Sequence, residues 1–165
     1  MSHLYLLRHA KAARAVPGMA DFDRPLEQRG VSDARAVGER MKEAGYRPDL
    51  VLCSPAQRTQ ETWACVERSL PPIPHGVRSP RQLYGSDARH YLDAIRNAGP
   101  VEALLVVGHN PMIEEIAAML VGAGRSGPMA GGFPTATLAV IRFDGPLSSV
   151  QAGQGALEAF LTGDA

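Results

Sequence analysis

The chain of 165 residues predicts an α/β fold of three layers, a mostly parallel sheet with helices on both faces. Three observations carry that prediction. Apolar runs at Leu4–Leu7, Leu50–Leu52 and Leu104–Gly108 are short and nearly continuous, as strands buried on both faces are. Helical periodicity separates the runs, the βαβ order that generates a parallel sheet. Each run also stops abruptly at polar residues, Arg8-His9, Ser54 and His109. Open α/β sheets bind ligands outside the carboxyl ends of their strands, so those positions suit a functional set.

Taken in order, the first strand ends at Arg8 and His9. Residues Ala10–Arg24 follow as a loop long enough to be a functional lid, carrying Lys11, Arg14 and Asp21-Phe22-Asp23-Arg24-Pro25. Glu27 to Ala44 has helical period, with Ala34, Val37, Met41 and Ala44 on one face and Gly45 with Pro48 as the stop. Asp49–Ser54 is the second strand. Ser54-Pro55 reads as an N-cap followed by proline at the first helical position. It opens a helix to about Ser69 whose inner stripe is Thr62, Trp63, Val66 and Leu70. Pro71–Pro80 breaks the pattern, with an irregular strand expected around Val77. Ser86-Asp87 caps a third helix to about Ala98, inward at Ala88, Tyr91, Leu92 and Ile95 and closed by Gly99-Pro100. After the strand Leu104–Gly108, Asn110-Pro111 repeats the cap-then-proline signal for a helix through Gly122, inward at Ile113, Ile116, Ala117 and Leu120. Residues 122–134 form a loop rich in Gly and Pro, and Thr135–Phe143 a further strand. Val150 is the expected start of a last short strand and Gly155–Thr162 a short terminal helix. The chain shows no internal repeat or linker.

This length predicts one domain over residues 1–165, burying roughly 70% of the surface its unfolded chain exposes. Lys+Arg and Asp+Glu both number 17, a balance that gives no reason to expect nucleic acid or a membrane as partner. No run approaches the ~18 apolar residues of a membrane span, and the first residues lead into a strand without a signal peptide. Two cysteines imply no disulfide framework. A cytoplasmic monomer is expected.

Right-handed crossovers bring Arg8, His9, Arg58 and His109 to one edge of the sheet, beside two helix N-termini. Arg58, in the first turn of its helix, opposes the macrodipole at a cost of ~0.3–1 kcal/mol. Two guanidiniums and two imidazoles grouped there stabilise nothing alone, but an anion between them reverses the sign of each term. Phosphate is the natural candidate, because guanidinium forks and helix N-termini both bind it. One imidazole can attack phosphorus and carry the phosphoryl group, while the other stabilises charge on it. The two arginines supply positive charge, so no metal and no other cofactor is implied. Cys53 does not make a cysteine phosphatase, since Thr59 holds the place where a Cys-x5-Arg loop needs arginine. No Gly-x4-Gly-Lys-Ser/Thr loop is present, which excludes a P-loop nucleotidase. His3, His75 and His90 lack ligand-like spacing and read as surface residues.

Leu7-Arg8-His9-Ala10, Ser54-Pro55-Ala56-Gln57-Arg58-Thr59 with Glu61-Thr62, and Gly108-His109-Asn110-Pro111 together resemble the three motifs of the histidine phosphatase superfamily. Order and spacing agree, and the resemblance covers the chain to about Phe143. Asp23-Arg24-Pro25-Leu26, Phe133-Pro134-Thr135 and Ala10 further resemble its small phosphohistidine phosphatase branch, the SixA-like proteins. The resemblance implies a phosphoglycerate mutase-like fold and a single histidine phosphatase domain. It implies His9 as nucleophile, Arg8 and Arg58 as phosphate clamps and His109 as the second imidazole. Arg24 matches an arginine of the branch that reaches phosphate, and is equally readable as a surface loop residue; Lys11 reads as a solvated loop charge. The activity implied is removal of phosphate from phosphohistidine on a protein through a phosphohistidine intermediate. The alternatives are a phosphomonoesterase for small phosphorylated substrates and a non-catalytic phosphate-binding module. Little chain is left to enclose a metabolite, which favours a macromolecular substrate.

One departure stands out. Many superfamily members carry an acidic proton donor between the second arginine and the second histidine, yet Pro71 to Ser86 contains no Asp or Glu. Gln82-Leu83 stands where Glu-Leu is expected, and helix capping accounts for Asp87, the next acid.

Overall fold

The computed structural model describes residues 1–85, 87–122, 124, 125 and 127–163. Ser86, expected in a helix cap, and Ala123 and Ser126 of the expected 122–134 loop lie outside the described residues. Six strands form one sheet: β1 (Ser2–Arg8), β2 (Leu50–Cys53), β3 (Val77–Arg78), β4 (Ala103–Gly108), β5 (Thr137–Phe143) and β6 (Ala156–Thr162). Four helices cover it: α1 (Gln28–Ala44), α2 (Gln57–Glu67), α3 (Ala88–Arg96) and α4 (Met112–Val121). The strand order is β3-β2-β4-β1-β5-β6, parallel from β3 to β1 and antiparallel at β5 and β6.

The apolar runs are continuous because each central strand feeds two cores. Leu4 and Leu6 of β1 enter the cluster with Tyr91 and Ile95 of α3 and Ile113 of α4. Tyr5 and Leu7 enter the opposite one, with Ala34, Val37 and Met41 of α1 and Trp63 of α2. Side chains alternate faces along a strand, so burial on both faces leaves no polar position in the run.

Register then fixes the edge. Arg8 pairs with Gly108 and Cys53 with Val107. Each ladder extends one residue further, His9 N–H donating to the Gly108 carbonyl and Ser54 N–H to the Val107 carbonyl, both at 3.0 Å. Arg8-His9, Ser54 and His109 are therefore level at the carboxyl end of the sheet.

Several boundaries differ from expectation. Gly155–Thr162, expected as a helix, holds strand β6, paired antiparallel with β5. Ala, Leu and Glu there favour a helix, but propensity is a weak bias, and the open edge of β5 supplies a ladder that outweighs it. Val150 starts no strand; it follows a 3₁₀ turn at Leu147–Ser149 and is buried in the core. Helix α2 begins at Gln57 without a side-chain cap and α4 begins at Met112, so both prolines precede the helices they were expected to open from within. Ala44, expected on the inner face of α1, is exposed. In α3, Ala94 is buried where Ala88 and Leu92 are half-buried, while Asp87 caps the helix as expected, Oδ1 accepting from Arg89 N–H at 2.8 Å. The expected strand around Val77 is β3.

Candidate active site

The loop after β1 is tied down on three sides, which presents His9. The Ala10 amide donates to Thr62 Oγ1 at 3.0 Å, and that hydroxyl donates to the Arg58 carbonyl at 2.7 Å. Thr62 thus links the residue after His9 to the turn of α2 that carries Arg58. The His9 carbonyl accepts from Ala136 N–H at 3.1 Å, and Ala136, at the start of β5, sits in the left-handed region with φ 53°. That conformation is uncommon for a residue with a Cβ and is concentrated where function constrains the backbone. Glu27 N–H donates to the Lys11 carbonyl at 2.9 Å, pinning the loop to the start of α1.

His109 is held by its own backbone. Its N–H donates to the Tyr91 hydroxyl at 3.1 Å, and that hydroxyl donates to the Leu83 carbonyl. Gly108 makes room for the tyrosine: a Cβ there would lie 2.5 Å from the hydroxyl oxygen. His109 is 5% exposed, with its ring centroid 5.3 Å from that of His9. Its Nε2 lies 2.7 Å from Ser54 Oγ, itself fully buried.

Both arginines are oriented by one side of the guanidinium. Arg8 Nη1 donates to the Phe133 carbonyl at 2.9 Å, which also accepts from Asn110 Nδ2 at 3.1 Å. Arg58, 7% exposed, donates from Nη1 to the Asp21 carbonyl at 2.8 Å and from Nη2 to Asp21 Oδ2 at 3.1 Å. The Nε of each arginine and Nδ1 of His109 are buried without a partner. An unmet buried donor costs ~1–3 kcal/mol, more when charged. An oxyanion satisfies guanidinium donors and offsets the grouped positive charge, which is the chemistry a phosphate supplies.

Both imidazoles are neutral at pH 7. Burial, joined by the positive charges of Arg58, Arg8 and Arg24, pushes His9 down to about 4 against the opposing bond to Ala10. Burial, with His9 and Arg58 near, pushes His109 down to about 3. His9 Nδ1 lies 2.7 Å from the Ala10 carbonyl, which can only accept. The network therefore assigns the ring proton to Nδ1 and leaves the Nε2 lone pair free, the arrangement a nucleophile needs.

The structure brings Arg8, His9, Arg58 and His109 together, and sets Arg24 at the rim. Arg24 donates from Nε to the Ala13 carbonyl at 2.9 Å and from Nη1 to Asp21 Oδ1 at 3.0 Å, so it meets Arg58 through Asp21. Lys11 is exposed. Gln82 is also exposed and lines a separate hollow with Leu52, Arg78 and Pro80, away from the histidines. Asp87 is occupied by Arg89, through its backbone and its guanidinium. Gln82 carries no acid, and the Asp87 carboxylate is committed to Arg89.

Three residues of the site were not predicted to act in it. Asp21, in an acidic loop with no helical or strand signal, accepts from Arg24, Arg58 and, at 2.8 Å, the Tyr84 hydroxyl. Those bonds hold its carboxyl down at about 2, so it is ionised and cannot donate a proton at neutral pH. Tyr84 stands edge-on to both His109 and Phe22, centroids 5.7 and 5.0 Å away. Ser54, expected as a helix cap, faces His109 instead; a hydroxyl closing a strand at the functional edge was its only signal. Together Asp21, Arg58, Tyr84 and His109 border an open cleft of about 460 Å³.

A strand-end edge that sets two buried imidazoles beside the Arg8 and Arg58 guanidiniums defines a phosphoryl-handling protein, and the relatives agree. The family model "Histidine phosphatase superfamily (branch 1)" matches residues 4–79. A Mycobacterium tuberculosis protein described as uncharacterised is 34% identical over 160 residues, 93% of this chain and 98% of its own. The chain belongs to the histidine phosphatase superfamily. Within it, the chain is SixA-like. A solved structure described as a candidate phosphohistidine phosphatase SixA from Agrobacterium tumefaciens is 32% identical, with TM-score 0.85 over 97% of each chain. The structure of a protein histidine phosphatase SixA complexed with tungstate is 26% identical, with TM-score 0.77, covering 98% of this chain and 97% of that one. The sheet and its helices are those of the phosphoglycerate mutase-like fold expected from the motifs.

Proposed function

We propose that this protein is a metal-independent phosphohistidine phosphatase acting on a phosphorylated protein, as a cytoplasmic monomer with one domain over residues 1–165. The observation that carries the reading is the pair of neutral imidazoles beside two guanidiniums whose Nε groups are buried and unmet. His9 Nε2 attacks phosphorus and holds the phosphoryl group, Arg8 and Arg58 bind its oxygens, and His109 stabilises the charge that builds on it. Arg24 supports the clamp from the rim through Asp21. Water then releases phosphate and regenerates His9. The positive charge that a phosphoryl group needs is supplied by the Arg8 and Arg58 guanidiniums.

The substrate follows from leaving-group chemistry. Asp21 is ionised, Gln82 lines a separate hollow and the Asp87 carboxylate is engaged by Arg89, so none of the three protonates a departing oxygen. A positioned acid contributes ~10²–10⁴-fold, and an alkoxide leaves poorly without one. Imidazole, with a reference pKa of ~6.5, departs with little help, and a phenol of pKa ~10 lies between. The expected order of kcat/KM is phosphohistidine protein, then aryl phosphate, then alkyl phosphate, with no loss on adding a chelator. His9→Ala abolishes turnover with the fold intact, and acid-labile phosphoenzyme is trapped from the wild type only. Equal rates on sugar phosphates would instead establish the small-molecule phosphomonoesterase. Full activity in His9→Ala would remove the mechanism.

A further inference from the structure

We propose that Ser54 is a positioning residue that fixes His109 in the tautomer carrying its proton on Nδ1. The inference rests on the phosphatase reading only for its consequence in turnover; the tautomer follows from hydrogen-bond accounting. Ser54 Oγ is fully buried and lies 2.7 Å from His109 Nε2. It accepts from the Ala56 amide at 3.4 Å, and among the described residues no other side-chain or backbone group meets it. A hydroxyl has one proton to give. If Nε2 carried the ring proton, Oγ would accept from both neighbours and its own hydrogen would be stranded in the core. If the hydroxyl donates to Nε2, every group on that side is satisfied, and a neutral ring then holds its proton on Nδ1.

That choice decides the sign of the ring's interaction with substrate. With Nε2 committed to Ser54, Nδ1 is the ring nitrogen left for a ligand, and it is buried without a partner. As an N–H it donates to a phosphoryl oxygen; as a lone pair it repels one. A neutral imidazole otherwise has no fixed preference strong enough to guarantee the donor form, and a wrong tautomer in another catalytic imidazole lowers turnover by up to ~10⁴. Ser54 thus does for His109 what the Ala10 carbonyl does for His9: the two rings present opposite faces of the same chemistry, a donor and a lone pair.

Long-range proton–nitrogen correlation on ¹⁵N-histidine-labelled wild type reads the tautomer directly. A protonated-type resonance at Nδ1 and an unprotonated one at Nε2 of His109 is the expected result; the reverse assignment overturns the proposal without recourse to any variant. In Ser54→Ala the His109 signals move toward the Nε2–H form, and kcat on an aryl phosphate falls ~10–100-fold while KM stays within about twofold. An unchanged His109 tautomer with unchanged kcat in Ser54→Ala also overturns it. His9→Ala, which tests the phosphatase reading, leaves the His109 tautomer in place, so the two ideas fail separately.

Discussion

Charge alone does not describe what the site asks of its residues. Arg58 gives Nη1 and Nη2 to Asp21 and keeps Nε free, which only a planar fork can do. Arg58→Lys retains the charge and loses that geometry, so both kcat and phosphate affinity should fall, each by about tenfold or more, in steady-state and product-inhibition measurements. The histidines carry a second prediction. His9 is pushed down to about 4, below the ordinary imidazole value, so it remains a lone-pair nucleophile through mildly acidic pH. The acid limb of kcat/KM, corrected for ionisation of the substrate, should therefore fall near pH 4 and not near pH 6.5, since kcat/KM reports groups of the free enzyme. A limb at pH 6.5 would mean that burial does not depress His9. Arg8, His9 and His109 could be read from their position after apolar runs and Arg58 from the first turn of its helix, but Asp21 could not. Its partners, Arg58 and Tyr84, are distant in sequence, and no local periodicity encodes such a meeting.

Close approach between elements is where a single methyl group would be felt. Tyr91 was legible as an inward residue of its helix, yet its hydroxyl does more than fill the core, joining the His109 amide to the Leu83 carbonyl. It reaches them by crossing Gly108, where a Cβ would sit 2.5 Å from the oxygen and 2.6 Å from a ring carbon. Gly108→Ala should cost ~1–3 kcal/mol of stability through overpacking, measured by urea denaturation, and lower kcat by displacing His109. Unchanged stability would show that Tyr91 can turn aside without loss. The motif glycine before His109 is thus a packing requirement, as Thr62 of the second motif is a tie between α2 and the His9 loop. Strand β6 shows the converse limit. Ala156–Thr162 carries helix-favouring residues, and only the free edge of β5 makes it a strand.

The whole molecule stores the site's electrostatics as a dependence of stability on pH. His9 and His109 are pushed below the unfolded imidazole value, to about 4 and about 3. The unfolded chain therefore binds protons first, so their stabilisation is complete above about pH 6.5 and declines as pH falls toward those values. Asp21 and Asp87, both held at about 2, lose their contribution only at still lower pH. Urea midpoints should accordingly fall between pH 6.5 and 4, and a His9→Gln/His109→Gln double variant should flatten that slope. By itself the sequence determined the α/β class, the central strands, the helix faces, Arg8, His9 and His109 at the strand ends and Arg58 at the head of its helix, because each is written in local periodicity and in the abrupt change from apolar to polar. The tertiary structure alone decided which of those groups are oriented and by what. Asp21 against Arg58, the Phe133 carbonyl against Arg8, and Ser54 against His109 join residues 37, 125 and 55 positions apart. Hydrogen bonds at such separations depend on how crossovers and strand register place whole elements, and no local pattern in the chain records them.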